Sequence, residues 1–213
     1  RKCCRTNHRR IMGLNIIIVG ITVVISIIAF SNTELFDRLK FNAYLIKEHK
    51  QYYRFFSYAL VHAGWLHLLI NMYVLYSFGD IVEEALMIKF GYRGLLYYAL
   101  LYIGGVIFST LFDFRKQRAN PYYNAVGASG AVSAVVFASI LLDPSGSIFI
   151  FPIPFPLPSW VFGIVYLVYS AYMGKRGADN IGHNAHFWGA VFGIVFTIIL
   201  IPDVIQQFIQ TVF

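Results

Sequence analysis

The chain has 213 residues, 58% of them hydrophobic, 18% aromatic and only 13% charged, with a mean hydropathy of +0.64. A soluble domain carries about a quarter charged residues, and here the apolar residues come in long blocks, which excludes a water-soluble core and makes the bilayer the main solvent. The formal charge of +7 includes no basic run interleaved with stacking aromatics, which argues against nucleic acid as a partner.

Five basic residues, Arg1, Lys2, Arg5, Arg9 and Arg10, crowd the first ten positions directly before an apolar block. Such a juxtamembrane cluster is expected to face the cytoplasm and anionic lipid. The two cysteines, Cys3 and Cys4, are adjacent in this segment, which rules out a disulfide scaffold. Residues 11–30 form one uncharged, predominantly apolar block, longer than a signal-peptide core of roughly 7–15 residues, so a retained helix is expected. Residues 1–10 thus read as a basic tail, and 11–213 as a single domain of six membrane-spanning helices, each needing about 20 apolar residues.

After the first span, residues 31–63 are too charged to cross the bilayer. Tyr52, Tyr53, Phe55 and Phe56 around Arg54 suit the membrane interface. The second span starts near Gly64 and is expected to end before Asp80, Glu83 and Glu84. The third covers about 94–112 and the fourth about 124–142. Prolines alternate through 151–158, which favours an extended connector, and Ser159 is expected to cap the fifth span, to about 173. The sixth covers roughly 184–201. With the amino terminus inside, seven basic residues lie inside and ten outside. The count does not favour this topology. The strongly basic flank of the first helix does.

Polar residues within a membrane are expensive and mark function. The fourth span carries Gly127-Ala128-Ser129-Gly130, placing Ser129 about 6–8 Å inside the helix at 1.5 Å per residue. Alone, this tetrapeptide also fits a small-residue helix contact. The sixth span opens with His183, Asn184, Ala185 and His186, and Gly189 and Gly193 form a groove for close helix approach. Serine needs a base within hydrogen-bond reach, and His186 can supply it. His183, at the water boundary, reads as a solvated side chain. Spans two, four and six run the same way, so Ser129 and His186 share a leaflet with His67 and Asn71, which stack four apart on one helical face. No carboxylate is expected at that depth, which favours a Ser–His dyad over a triad. His67, Asn71 and the backbone around Gly127 read as oxyanion donors.

In this order and on these spans, the motifs resemble those of the rhomboid intramembrane proteases. They are Gly-Ala-Ser-Gly at 127–130, Ala185-His186 with Gly189, His62 with His67 and Asn71, Tyr53-Arg54, and Gly79 with Glu83. The resemblance implies a six-helix all-α bundle that cleaves single-pass transmembrane proteins near the outer face, with no cofactor. It implies catalytic roles for Ser129 and His186 and oxyanion roles for His67 and Asn71; His62, His183, Ser133, Gly130 and Gly189 are expected to stand around them. Several members carry an aromatic four positions after the serine, packed under the histidine. This chain has Ser133 there, so either another aromatic supports the ring or Ser133 makes a hydrogen bond instead.

Rival readings have distinct signatures. A metal site built on His62, His67, His183 and His186 lacks the usual spacing and mixed ligands, and no metal is expected. A transporter would show internal repeats and a midplane site. An inactive relative would lack Ser129 or His186. A bacterial inner membrane is the expected location.

Overall fold

The computed structural model describes residues 13–149, 155–176 and 182–213. The basic tail, Cys3, Cys4, Pro152 and Pro154 lie outside the described residues. Ten α-helices account for most of what is described, and the only strands among the described residues are a two-residue antiparallel pair.

The first helix, α1 (Leu14–Ser31), buries Asn15, Thr22, Ser26 and Ala29 and turns Ile16, Ile17, Ile21, Val24, Ile27 and Ile28 outward. Small or polar inside and apolar outside reverses the pattern of a soluble helix. It is the arrangement expected where lipid surrounds the bundle and close packing drives association.

Residues 31–63 fold into short helices α2 (Thr33–Leu39), α3 (Ala43–His49) and α4 (Arg54–Ser57), followed by a 3-10 turn, Tyr58–Leu60. Asn32 and Asn42 cap α2 and α3 by accepting from the Leu35 and Leu45 amides at 2.9 and 2.8 Å. The buried Arg54 guanidinium donates to the carbonyls of Asp37 and Lys40 and to Gln51, gathering the segment around one cation. Tyr52, Tyr53 and Phe56 stay exposed around it, as interfacial rings should.

Helix α5 (Trp65–Phe90) continues ten residues past Asp80, which corrects the expected end of the second span. Two of the acids, Asp80 and Glu83, are bonded across helices, and Glu84 is exposed. Glu83 accepts from the Leu14 and Asn15 amides at 2.8 and 2.7 Å, capping α1 from outside. Asn15 donates to Asp80, and Tyr98 donates to Asn15. Tyr98 belongs to α6 (Arg93–Gln117).

The centre of the fold is α7 (Ser129–Leu142), in which every residue from Gly130 to Ile140 is buried. Its alanines, glycine and serines let neighbours approach on all sides, and a helix apolar all round belongs in an interior. Two strands, β1 (Ser147–Ile148) and β2 (Leu157–Pro158), pair antiparallel before α8 (Ser159–Arg176). This realises the extended connector at its described end. Ser159 does not cap α8; its hydroxyl donates to the Pro144 carbonyl at 3.4 Å. The bundle closes with α9 (His183–Leu200) and a short α10 (Val204–Val212).

Four helices, α1, α5, α6 and α9, are long and apolar enough to cross a membrane, so the protein is a multi-pass, all-α membrane protein. Helix α7 has only 14 residues, about 21 Å at 1.5 Å per residue. Enclosed by other helices, it need not match the lipid thickness itself. Helix α8 has the length but carries serines, tyrosines and a terminal Lys175-Arg176 pair.

Candidate active site

Ser129 is the first residue of α7, not one several residues inside a helix as the apolar run suggested. The helix cannot begin earlier because residues 124–128 are committed elsewhere. Ala125 exchanges two hydrogen bonds with Phe41, at 2.9 and 3.1 Å. Gly127 adopts φ +108°, a left-handed conformation suited to glycine, and donates to the Tyr58 carbonyl at 3.0 Å. The Ala128 amide donates to Nε2 of His62 at 3.3 Å. Ser129 therefore sits half-buried at a helix start without a side-chain cap, where the first-turn N–H groups have no partner within the helix.

His186 comes from the first turn of α9. Gly189 lies directly against the Gly130 carbonyl, and Gly193 against that of Ala134, so a Cβ at either glycine would collide with α7 backbone. The paired contacts advance together along both chains, which makes α7 and α9 parallel. On the same seam, a Cβ at Gly130 would lie 3.2 Å from the Ala185 carbonyl. Ser129 and His186 are the chain neighbours of that contacting pair, on adjoining first turns.

The second helix of the motif closes the third side. The Ala63 amide donates to Nδ1 of His67 in a long bond of 3.4 Å, so the neutral ring carries its proton on Nε2. That edge faces Gly127, whose added Cβ would lie 2.9 Å from His67 Nε2. Asn71 is buried and spends one amide hydrogen on the His67 carbonyl at 2.8 Å, leaving a second to donate. His62, fully buried, sits edge-on to His67 with ring centroids 5.0 Å apart.

His183 is buried rather than solvated, edge-on to Tyr169 at 5.5 Å and to His186 at 6.1 Å. Asp113, expected beyond the third span, is buried near the end of α6. A carboxylate thus lies at this end of the bundle, where none was expected. It accepts from Tyr123 at 2.8 Å and from Asn184 at 3.4 Å. It holds the entrance to α9 rather than an imidazole. Among the described residues, no three His, Cys, Asp or Glu side chains gather into a metal-binding group.

Ser133 donates to the Ser129 carbonyl at 2.9 Å and pairs with the Tyr166 hydroxyl at 2.7 Å. The Tyr166 ring stacks on His186, with centroids 6.2 Å apart and planes inclined by 23°. The two alternatives for Ser133 are realised together: it makes the hydrogen bond, and an aromatic from α8 supports the ring. Nothing local in the sequence marks Tyr166 among the tyrosines of α8.

A family model described as the Rhomboid domain matches residues 49–203. Rhomboid-like protein 11, chloroplastic, of Arabidopsis thaliana is 31% identical over 160 residues, which is 71% of this chain and 54% of that protein. Rhomboid protein 1, mitochondrial, of Saccharomyces cerevisiae is 26% identical over 65% of this chain and 39% of its own length. Rhomboid-related protein 1 of Caenorhabditis elegans is 27% identical over 75% of this chain and 43% of its own. The chain thus spans 39–54% of the length of these three relatives.

Proposed function

The chain belongs to the rhomboid family, and on that premise we propose that it is an intramembrane serine endopeptidase with Ser129 as nucleophile and His186 as base. The observation that supports this most is the backbone seam between α7 and α9, where Gly130 meets Gly189 and Ala185. The seam sets Ser129 and His186 on adjoining first turns of two touching helices; among the described residues their side chains are not hydrogen-bonded to one another, and such catalytic bonds commonly tighten only when substrate is bound.

In the proposed reaction Ser129 Oγ attacks the scissile carbonyl carbon while His186 takes the hydroxyl proton. The carbonyl electrons move onto oxygen. The oxyanion accepts from first-turn amides of α7, from the Nε2–H of His67 and from Asn71. Each such donor is worth about 3–4 kcal/mol in serine proteases. The tetrahedral centre collapses, the C–N bond breaks, and His186 returns the proton to the leaving amine. A water, deprotonated by His186, then attacks the acyl-enzyme and frees Ser129. No carboxylate is assigned to His186; the pair acts as a dyad.

In this proposal the chain from residue 11 onward is one domain, with α7 and α8 as the fourth and fifth of six spans. An amino terminus in the cytoplasm then sets the starts of α5, α7 and α9 at the outer leaflet. Substrates are single-pass transmembrane proteins that unwind there. Relatives named as chloroplastic and mitochondrial lend no support to a bacterial inner membrane, and the proposal is confined to placement in a membrane.

Labelling of the detergent-purified protein with a fluorophosphonate tests the dyad without a known substrate. The wild type is expected to label, and Ser129→Ala and His186→Ala to lose labelling by at least about 10²-fold, as triad knockouts do. A folded wild type that neither labels nor cleaves a transmembrane reporter would sink the proposal.

A further inference from the structure

We propose that Tyr166 of α8 is the positioning residue for His186, holding the imidazole by a ring stack that Ser133 of α7 anchors. The inference rests on the reading of His186 as the base.

Four contacts fix the tyrosine. Its ring lies against His186 at 6.2 Å and 23°, within the range of offset aromatic stacking. Its hydroxyl lies 2.7 Å from Ser133 Oγ. The single proton of Ser133 is committed to the Ser129 carbonyl at 2.9 Å, so Tyr166 is the donor between the two. Phe137 of α7 and Phe162 of α8 flank the ring, with centroids 5.8 and 5.5 Å away, leaving it little room to tilt.

The result is a continuous link from nucleophile to base. It runs from the Ser129 carbonyl through the Ser133 hydroxyl and the Tyr166 phenol to the face of His186. The backbone of Ser129 and the ring of His186 are referenced to one another through a third helix. Helix α8 buries only Ser159, Gly163 and Ser170 fully and exposes Ile164, Val165, Val168 and Tyr169 beside the tyrosine. The alignment of His186 therefore depends on where α8 sits.

A base misplaced by about 1 Å loses on the order of 10²-fold in rate. Tyr166→Ala is expected to lower kcat for a transmembrane reporter by about that factor, with KM changed less than about twofold because uniform binding is untouched. Tyr166→Phe keeps the stack and loses the anchor, and Ser133→Ala removes the same anchor from the other side. Each should cost several-fold in kcat. Ser133→Ala also removes the bond to the Ser129 carbonyl, so the double variant should be no worse than Ser133→Ala alone, since the bond between Ser133 and Tyr166 is the one both changes delete.

A ring supplied from the α7 side tests positioning apart from stability. Adding Ser133→Phe to Tyr166→Ala puts an aromatic into the space the phenol left, and it should recover at least about tenfold of the lost kcat, since geometry is what was removed. The proposal fails if Tyr166→Ala retains kcat within twofold of wild type. It fails equally if Tyr166→Phe and Ser133→Ala add, or if the second ring restores thermal stability without restoring kcat. A wild type that shows neither labelling nor cleavage overturns the base reading itself, and this inference with it.

Discussion

His62 shows how much a single buried side chain settles in this site. It is fully buried, and both ring nitrogens are bonded. Nε2 accepts from the Ala128 amide, so Nδ1 carries the proton and donates to Ser26 Oγ at 3.0 Å; Ser26 donates on to the Leu60 carbonyl at 2.8 Å. Only the neutral ring fits this arrangement. Burial, reinforced by the neighbouring His67, pushes the His62 pKa down to about 3. The unfolded chain, with an ordinary histidine near 6.5, binds the extra proton first as the pH falls. The contribution to stability is complete above about pH 6.5 and is lost progressively toward pH 3, amounting to a few kcal/mol across that window. Thermal unfolding in detergent should show Tm falling between pH 7 and 4, and His62→Gln should flatten that dependence while lowering Tm at pH 7. An identical slope in the variant would mean that other groups carry it. The motif made His62 legible in the sequence. Its partners, Ser26 and Ala128, were not, because each lies 36 or more residues away.

Among elements, α7 and α9 illustrate what periodic patterns reveal and where they stop. The glycines of α9 were readable as a groove, and the structure sets Gly189 and Gly193 against α7 backbone. Gly189→Val should therefore force the two helices apart, costing about 1–3 kcal/mol as overpacking does, with a larger proportional loss of fluorophosphonate labelling than of Tm. Gly20 on α1 is the contrast. Nothing lies within 4 Å of a Cβ there, and Gly20→Ala should leave labelling unchanged and raise stability by up to about 1 kcal/mol through helix propensity. Hydropathy erred at helix ends. It began the fourth span near residue 124, whereas the bonds of Ala125 and Gly127 hold that stretch off the helix. It ended the second span at its acids, whereas Glu83 is buried as the cap of α1. An acidic residue reads as a boundary until the group that satisfies it is known.

At the scale of the whole molecule, the exposed apolar faces of α1, α5, α8 and α9 define a body that needs lipid around it, and the polar groups are turned inward. If α7 crosses the membrane despite its 14 residues, its flanking loops lie on opposite sides. With Cys3 and Cys4 replaced, single cysteines at the exposed Tyr122 and Ser145 should react with an impermeant maleimide from opposite faces of sealed vesicles. Labelling of both from one face would refute the six-span reading. Composition and block pattern alone determined that this chain lives in a bilayer as a helical bundle. The motif order alone singled out Ser129, His186, His67 and Asn71, because residue type and spacing along a helix are local properties. Only the tertiary structure decided that α7 starts at Ser129, that His183 and Asp113 are buried, and that Tyr166 supports His186. Each of those depends on a partner from another helix, and the free energy of burying a polar group is set by that partner rather than by its neighbours in the chain.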